Sequence, residues 1–103
     1  MNYKLIRDNI PKIAEQEGKP IKYATVTDPA FVKELLYNKL KEEVTEFFNA
    51  DLNKLEELAD IMTVVGALIE AVGGTQEEFN QLYAEKLEKN GGFKGHTIGL
   101  FED

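Results

Sequence analysis

Apolar residues recur at intervals of three and four in four stretches of the chain, separated by short polar or glycine-containing breaks, the pattern of amphipathic helices. The first spans about 8–17, with Ile10 and Ile13 on one side, Pro11 in the first turn and Gly18 as the stop. Asp28 as N-cap and Pro29 at the first helical position open the second, which runs to about residue 48. Its stripe is Leu36, Leu40, Val44 and Phe47. Asn49-Ala50-Asp51 interrupts the pattern, and Asp51 is placed to cap a third helix carrying Leu55, Leu58, Ile61, Met62, Val65, Leu68, Ile69 and Val72 up to Gly73-Gly74. With Val64 this apolar arc is too broad for a one-sided surface helix, so it predicts a central bundle helix or a subunit interface, and hence a homodimer or higher homo-oligomer. Thr75-Gln76-Glu77-Glu78 is a capping box for the fourth helix, which uses Phe79, Leu82, Tyr83 and Leu87 before Asn90-Gly91-Gly92 ends it. Residues 20–27, with Ile21, Tyr23 and Val26, read as extended. So does the apolar tail with Phe93, Ile98, Leu100 and Phe101, and the two are expected to pair as a small two-stranded ribbon. The fold class is all-α: one domain over 1–103, four helices with a central antiparallel hairpin.

At 103 residues the chain supports one modest core. It has no cysteine, which excludes disulfides, thiolate nucleophiles and Cys-based zinc sites. No apolar run approaches the roughly 20 residues needed to cross a bilayer. The N-terminus lacks the basic segment and apolar stretch of a secretory signal, so a cytoplasmic location is the default expectation. A net charge of −7 argues against direct binding of a nucleic-acid polymer. That charge is unevenly placed: residues 42–70 hold eight acidic and one basic side chain, a local excess equal to that of the whole protein.

Within this segment Glu42-Glu43-Val44-Thr45-Glu46 reads EExxE and Glu57-Leu58-Ala59-Asp60 reads ExxD. Glu43 with Glu46, and Glu57 with Asp60, are i,i+3 pairs that project from one side of their helices. Such like-charge pairs cost about 0.2–0.5 kcal/mol each in an isolated helix, which is tolerable once and unusual on two successive helices. A break this short forces an antiparallel hairpin, and counting outward from the turn sets Glu46 across from Glu57 and Glu43 across from Asp60. Glu43 lies beside the Leu36, Leu40, Phe47 stripe and Glu57 shares a line with Ile61, Val64 and Leu68, so both are expected to be half-buried. Ionised carboxylates there need a cation, and Lys54 is the sole basic residue on the third helix. Oxygen ligands without histidine suit Mg²⁺, with Mn²⁺ as a substitute, rather than zinc. The competing reading is an ordinary solvated helix surface, for which Glu56 and Glu70 serve as examples.

EExxE followed by ExxD on adjacent helices resembles the all-α nucleoside triphosphate pyrophosphohydrolases of the MazG type, which include the phosphoribosyl-ATP pyrophosphohydrolases. Asn2-Tyr3-Lys4-Leu5-Ile6-Arg7-Asp8-Asn9-Ile10-Pro11 looks like the opening of the small MazG-like branch, and Asn90-Gly91-Gly92-Phe93 resembles its ending. The resemblance implies an oligomeric helical fold that hydrolyses a nucleotide's phosphoanhydride to a monophosphate and pyrophosphate. It implies Mg²⁺ ligation by Glu43, Glu46, Glu57 and Asp60, with Glu42 either supporting the ligands from behind or orienting a water. Lys4, Arg7, Lys86 and Asn90 are candidate substrate phosphate contacts, while Lys12 and Lys89 read as surface charge. Asn90 stands where many members carry arginine, and the spacing between Glu46 and Glu57 is shorter than in many of them.

Two alternatives stay open: the histidine-pathway substrate phosphoribosyl-ATP itself, and a non-catalytic helical oligomerisation or binding module. His96 has no partner pattern for general-base work, and Gly91-Gly92 reads as a helix stop rather than a phosphate loop. Tyr37 and Tyr83 fall at helical core or interface spacing.

Overall fold

A computed structural model describes residues 3–102, which form four helices in the order α1 (Ile10–Gln16), α2 (Pro29–Asn49), α3 (Lys54–Ala71) and α4 (Gln76–Asn90). The all-α class stands. Asn2 of the N-terminal motif lies outside the described residues.

Helix boundaries follow local chemistry. Asp28 is the extended N-cap of α2 and Pro29 its first residue. Thr75 Oγ1 accepts from the Glu78 amide at 3.1 Å, so the predicted cap of α4 forms. After α3 the chain reverses through a Schellman motif: the Gly73 amide donates to Glu70 and the Gly74 amide to Ile69, both at 2.9 Å, and Gly73 takes a φ of 92° that a side chain would resist. Asp51 is not the cap of α3. The boundary residue is Asn53, whose left-handed φ of 62° breaks helical continuity just before Lys54.

Helices α2 and α3 form the hairpin, joined by residues 50–53. Its closed end is fastened by Lys54, whose Nζ donates to the Phe47 carbonyl at 2.7 Å and lies 4.7 Å from the Phe47 ring centroid. That carbonyl is among the last four of α2, which have no partner within their own helix. Four apolar side chains are buried among the described residues: Leu35 and Leu36 of α2, Val64 and Ile69 of α3.

Helix α4 packs only against α3, α1 packs against no other helix, and the four do not close into a bundle within one chain. The radius of gyration is 17.8 Å, against about 13 Å for a compact chain of this length. The accessible surface is 9529 Å², where a compact protein of this mass exposes about 5,800 Å². Leu55 and Met62 of α3, Val72 at its C-terminal cap, and Leu82, Tyr83 and Leu87 of α4 are all exposed. No single helix among the described residues is long and apolar enough to cross a membrane.

The expected ribbon does not form. No strand is present among the described residues; 20–27 has no regular structure, and Phe93, Ile98, Leu100 and Phe101 stand 78–95% exposed. Extended segments without a paired partner or an apolar surface beneath them have nothing to hold a two-stranded ribbon together.

Candidate metal centre

The acidic residues gather where the hairpin geometry sets them. On α2, one carboxylate oxygen from each of Glu42, Glu43 and Glu46 lies within 4.8 Å of the others; across the hairpin, Glu43, Glu57 and Asp60 make a second group on the same criterion. Glu43 belongs to both and is the pivot of the cluster. Its residue is only 6% exposed, beside Leu36 on the face of α2 that meets α3. Glu57 and Asp60 are half-buried on the first two turns of α3, and Glu46 stays exposed at the rim.

Five carboxylates so close need cations. Lys39, one turn before Glu42 and Glu43 on α2, places Nζ 3.4 Å from Glu42 Oε1 and 3.3 Å from Glu43 Oε1. The N-terminal segment brings two more: Lys4 Nζ lies 3.8 Å from Glu42 Oε1, and Arg7 Nη2 donates to Asp60 Oδ1 and, at 3.3 Å, to Thr63 Oγ1. Lys39 is a member of the site beyond the residues expected from the motifs, and its i,i+3 and i,i+4 spacing to Glu42 and Glu43 is the signal that marks it in the sequence. Lys54, by contrast, is turned onto the C-terminal end of α2.

These cations do not satisfy the cluster. Glu43 Oε2 and Glu57 Oε2 are both buried without a hydrogen-bond partner. Glu46 feels the crowding: a side-chain hydrogen bond with Glu43, then the negative charge of that same carboxylate, raise its pKa above the ordinary 4.5, with desolvation and the charges of Glu57 and Glu42 adding to the effect. Two orphaned oxygens facing an all-oxygen donor set, without histidine or thiolate, fit a hard divalent cation such as Mg²⁺ or Mn²⁺.

A cavity of about 190 Å³ opens beside the cluster, lined by Tyr3, Lys4, Leu5, Leu35, Asn38, Lys39 and Glu42. It is below the roughly 300–1,000 Å³ of pockets that enclose a whole small-molecule ligand. Lys86 and Asn90 lie exposed on α4 and make no ion pair or hydrogen bond to the cluster among the described residues. His96 is exposed, as expected of a surface histidine.

Compared with protein-family models, with curated proteins and with solved structures, the chain has no match.

Proposed function

We propose that the protein is a Mg²⁺-dependent nucleotide pyrophosphohydrolase. The observation that carries this reading is the pair of buried, unpartnered carboxylate oxygens on Glu43 and Glu57 within a five-carboxylate cluster, a costly arrangement unless a cation is bound there. Glu43, Glu46, Glu57 and Asp60 are the residues that would hold it. Bound Mg²⁺ would supply charge neutralisation for a polyphosphate, which bare carboxylates repel, and acidify the attacking water.

The chain's own residues then divide the work. Lys4 and Arg7, reaching the cluster from the N-terminal segment, offer positive charge to the phosphates. Glu42, at the junction of the cluster and the cavity, orients a water and accepts its proton. The water oxygen forms a new P–O bond as the bridging P–O bond breaks, releasing nucleoside monophosphate and pyrophosphate.

The proposed assembly is a homo-oligomer in which a second copy covers α3 and α4 and completes a MazG-like bundle. The chain exposes about 3,700 Å² more than a compact protein of its mass, while obligate interfaces start near 2,000 Å². The 190 Å³ cavity accommodates phosphate but not a nucleoside, so base and sugar contacts fall to the partner surface or to solvent. A monomer by light scattering at micromolar concentration overturns this assembly.

The activity is tested by incubating the protein with a broad panel of nucleoside triphosphates and phosphoribosyl-ATP, with Mg²⁺ and with EDTA. Pyrophosphate release that needs Mg²⁺ and disappears in Glu57→Gln supports the reading. Release from phosphoribosyl-ATP alone narrows it to the histidine-pathway substrate. No release from any nucleotide refutes the enzyme reading and leaves a non-catalytic binding module.

A further inference from the structure

One contact of the cluster joins distant parts of the chain, Arg7 and Asp60, which lie 53 residues apart in sequence. Arg7 occupies the carboxylate that the metal reading assigns to a divalent cation. It is supported there by Thr63, whose hydroxyl donates to the Ala59 carbonyl at 2.9 Å and is left to accept from Arg7 at 3.3 Å. The segment carrying Arg7 is anchored on both sides. Tyr3 stacks edge-on against Phe31 of α2 with centroids 5.8 Å apart, and the Arg7 carbonyl accepts from the Ile10 amide at the start of α1 at 3.1 Å. Residues 3–7 therefore lie across both arms of the hairpin like a clasp, touching α2 through Tyr3 and Lys4 and α3 through Arg7.

We infer that Arg7 is the resident counter-cation of Asp60 and competes with a divalent cation for that carboxylate, so that filling the centre releases the guanidinium at its edge. The inference rests on the metal reading. Three features single out Arg7 as the cation that yields. The Lys39 side chain is only 16% exposed and sits on the same helix as its partners, so it has nowhere to go. Arg7 and Asp60 are 55% and 36% exposed, so water replaces their contact readily. The third is Glu43 Oε2, nine-tenths buried within the group it forms with Glu57 and Asp60 and with no donor of its own, an oxygen that the internal cations leave unmet. A metal gains Glu43, Glu57 and Asp60 together, whereas Arg7 satisfies only the last. Once released, Arg7 is held by its two anchors beside the centre, where the proposed reaction needs a cation for phosphate.

The test is calorimetric titration of Mg²⁺ into metal-free wild type, Arg7→Gln and Lys12→Gln, in low salt and without nucleotide. Lys12 makes no ion pair among the described residues, so its variant removes the same charge without touching the clasp. Arg7→Gln is expected to bind Mg²⁺ about two- to fivefold more tightly, the equilibrium equivalent of an exposed ion pair, with Lys12→Gln unchanged. In wild type the Arg7 side-chain N–H resonance should shift on Mg²⁺ addition, and this shift should be absent in Asp60→Asn. Equal or weaker binding by Arg7→Gln, or an Arg7 resonance indifferent to Mg²⁺, overturns the clasp while leaving the metal reading intact. Absence of Mg²⁺ binding to wild type and to every variant overturns both.

Discussion

Glu57→Gln should stabilise the metal-free protein and destabilise the metal-loaded one, reversing their order. Glu57 Oε2 is buried without a partner, and its carboxylate faces Glu43 and Asp60 across less than 4.8 Å. Leaving a buried polar atom unsatisfied costs about 1–3 kcal/mol, and a glutamine amide relieves it by donating to one of the neighbouring carboxylates. Against this, Glu57 lies in the first turn of α3, where a negative charge gains about 0.3–1 kcal/mol from the helix dipole, and the amide forfeits that. The balance is a gain of about 1 kcal/mol in EDTA, a rise in Tm of about 4–8 °C for a chain this size. In Mg²⁺ at a hundred times its Kd, wild type gains about 2.7 kcal/mol through linkage, and the variant, lacking one ligand, gains only a fraction of it. Urea denaturation of both proteins, in EDTA and across Mg²⁺ concentrations at fixed protein concentration, measures all four stabilities. A variant less stable than wild type in EDTA, or equally stabilised by Mg²⁺, refutes the reasoning, because either result means the oxygen is not waiting for a cation.

Two further outcomes follow from the geometry. Because Glu43 raises the Glu46 pKa in the folded protein, the folded state holds that proton more tightly than the unfolded one; its contribution to stability is favourable at low pH and declines as pH rises from 4.5 through the raised value. Urea midpoints in EDTA should therefore fall less steeply over that range in Glu46→Gln than in wild type, and parallel profiles contradict the coupling of Glu46 to Glu43. At the hairpin turn, Asn53→Ala should cost about 1–2 kcal/mol in urea denaturation because its φ of 62° is left-handed, whereas Asn53→Gly should stay near wild type; equal losses from both would place the role of Asn53 in its side chain.

Much of the candidate centre is visible in one dimension. The i,i+3 pairs Glu43–Glu46 and Glu57–Asp60 and the short link between their helices require no distant information, since helical period and an antiparallel turn together decide which residues face each other. Lys39 was legible by the same rule, as a cation one turn before two acids. Arg7 was not legible as a partner of Asp60. It lies in a segment with no helical or strand period, and no local rule joins it to a residue 53 positions away. The ribbon failed for a related reason: apolar residues at 93–101 signal that the segment avoids water but not what it packs against.

The sequence by itself determined the helices, their Thr75 and Gly73 boundaries, and the face on which the acids fall, because capping, glycine conformation and period act within a few residues. Only the tertiary structure decided that Glu43 would be buried with an unmet oxygen, that Lys4 and Arg7 would cross the hairpin to its acids, and that α3 and α4 would leave their apolar faces bare. Those outcomes depend on which surfaces meet over long chain separations. A hydrophobic pattern states that a face must be covered without stating by what.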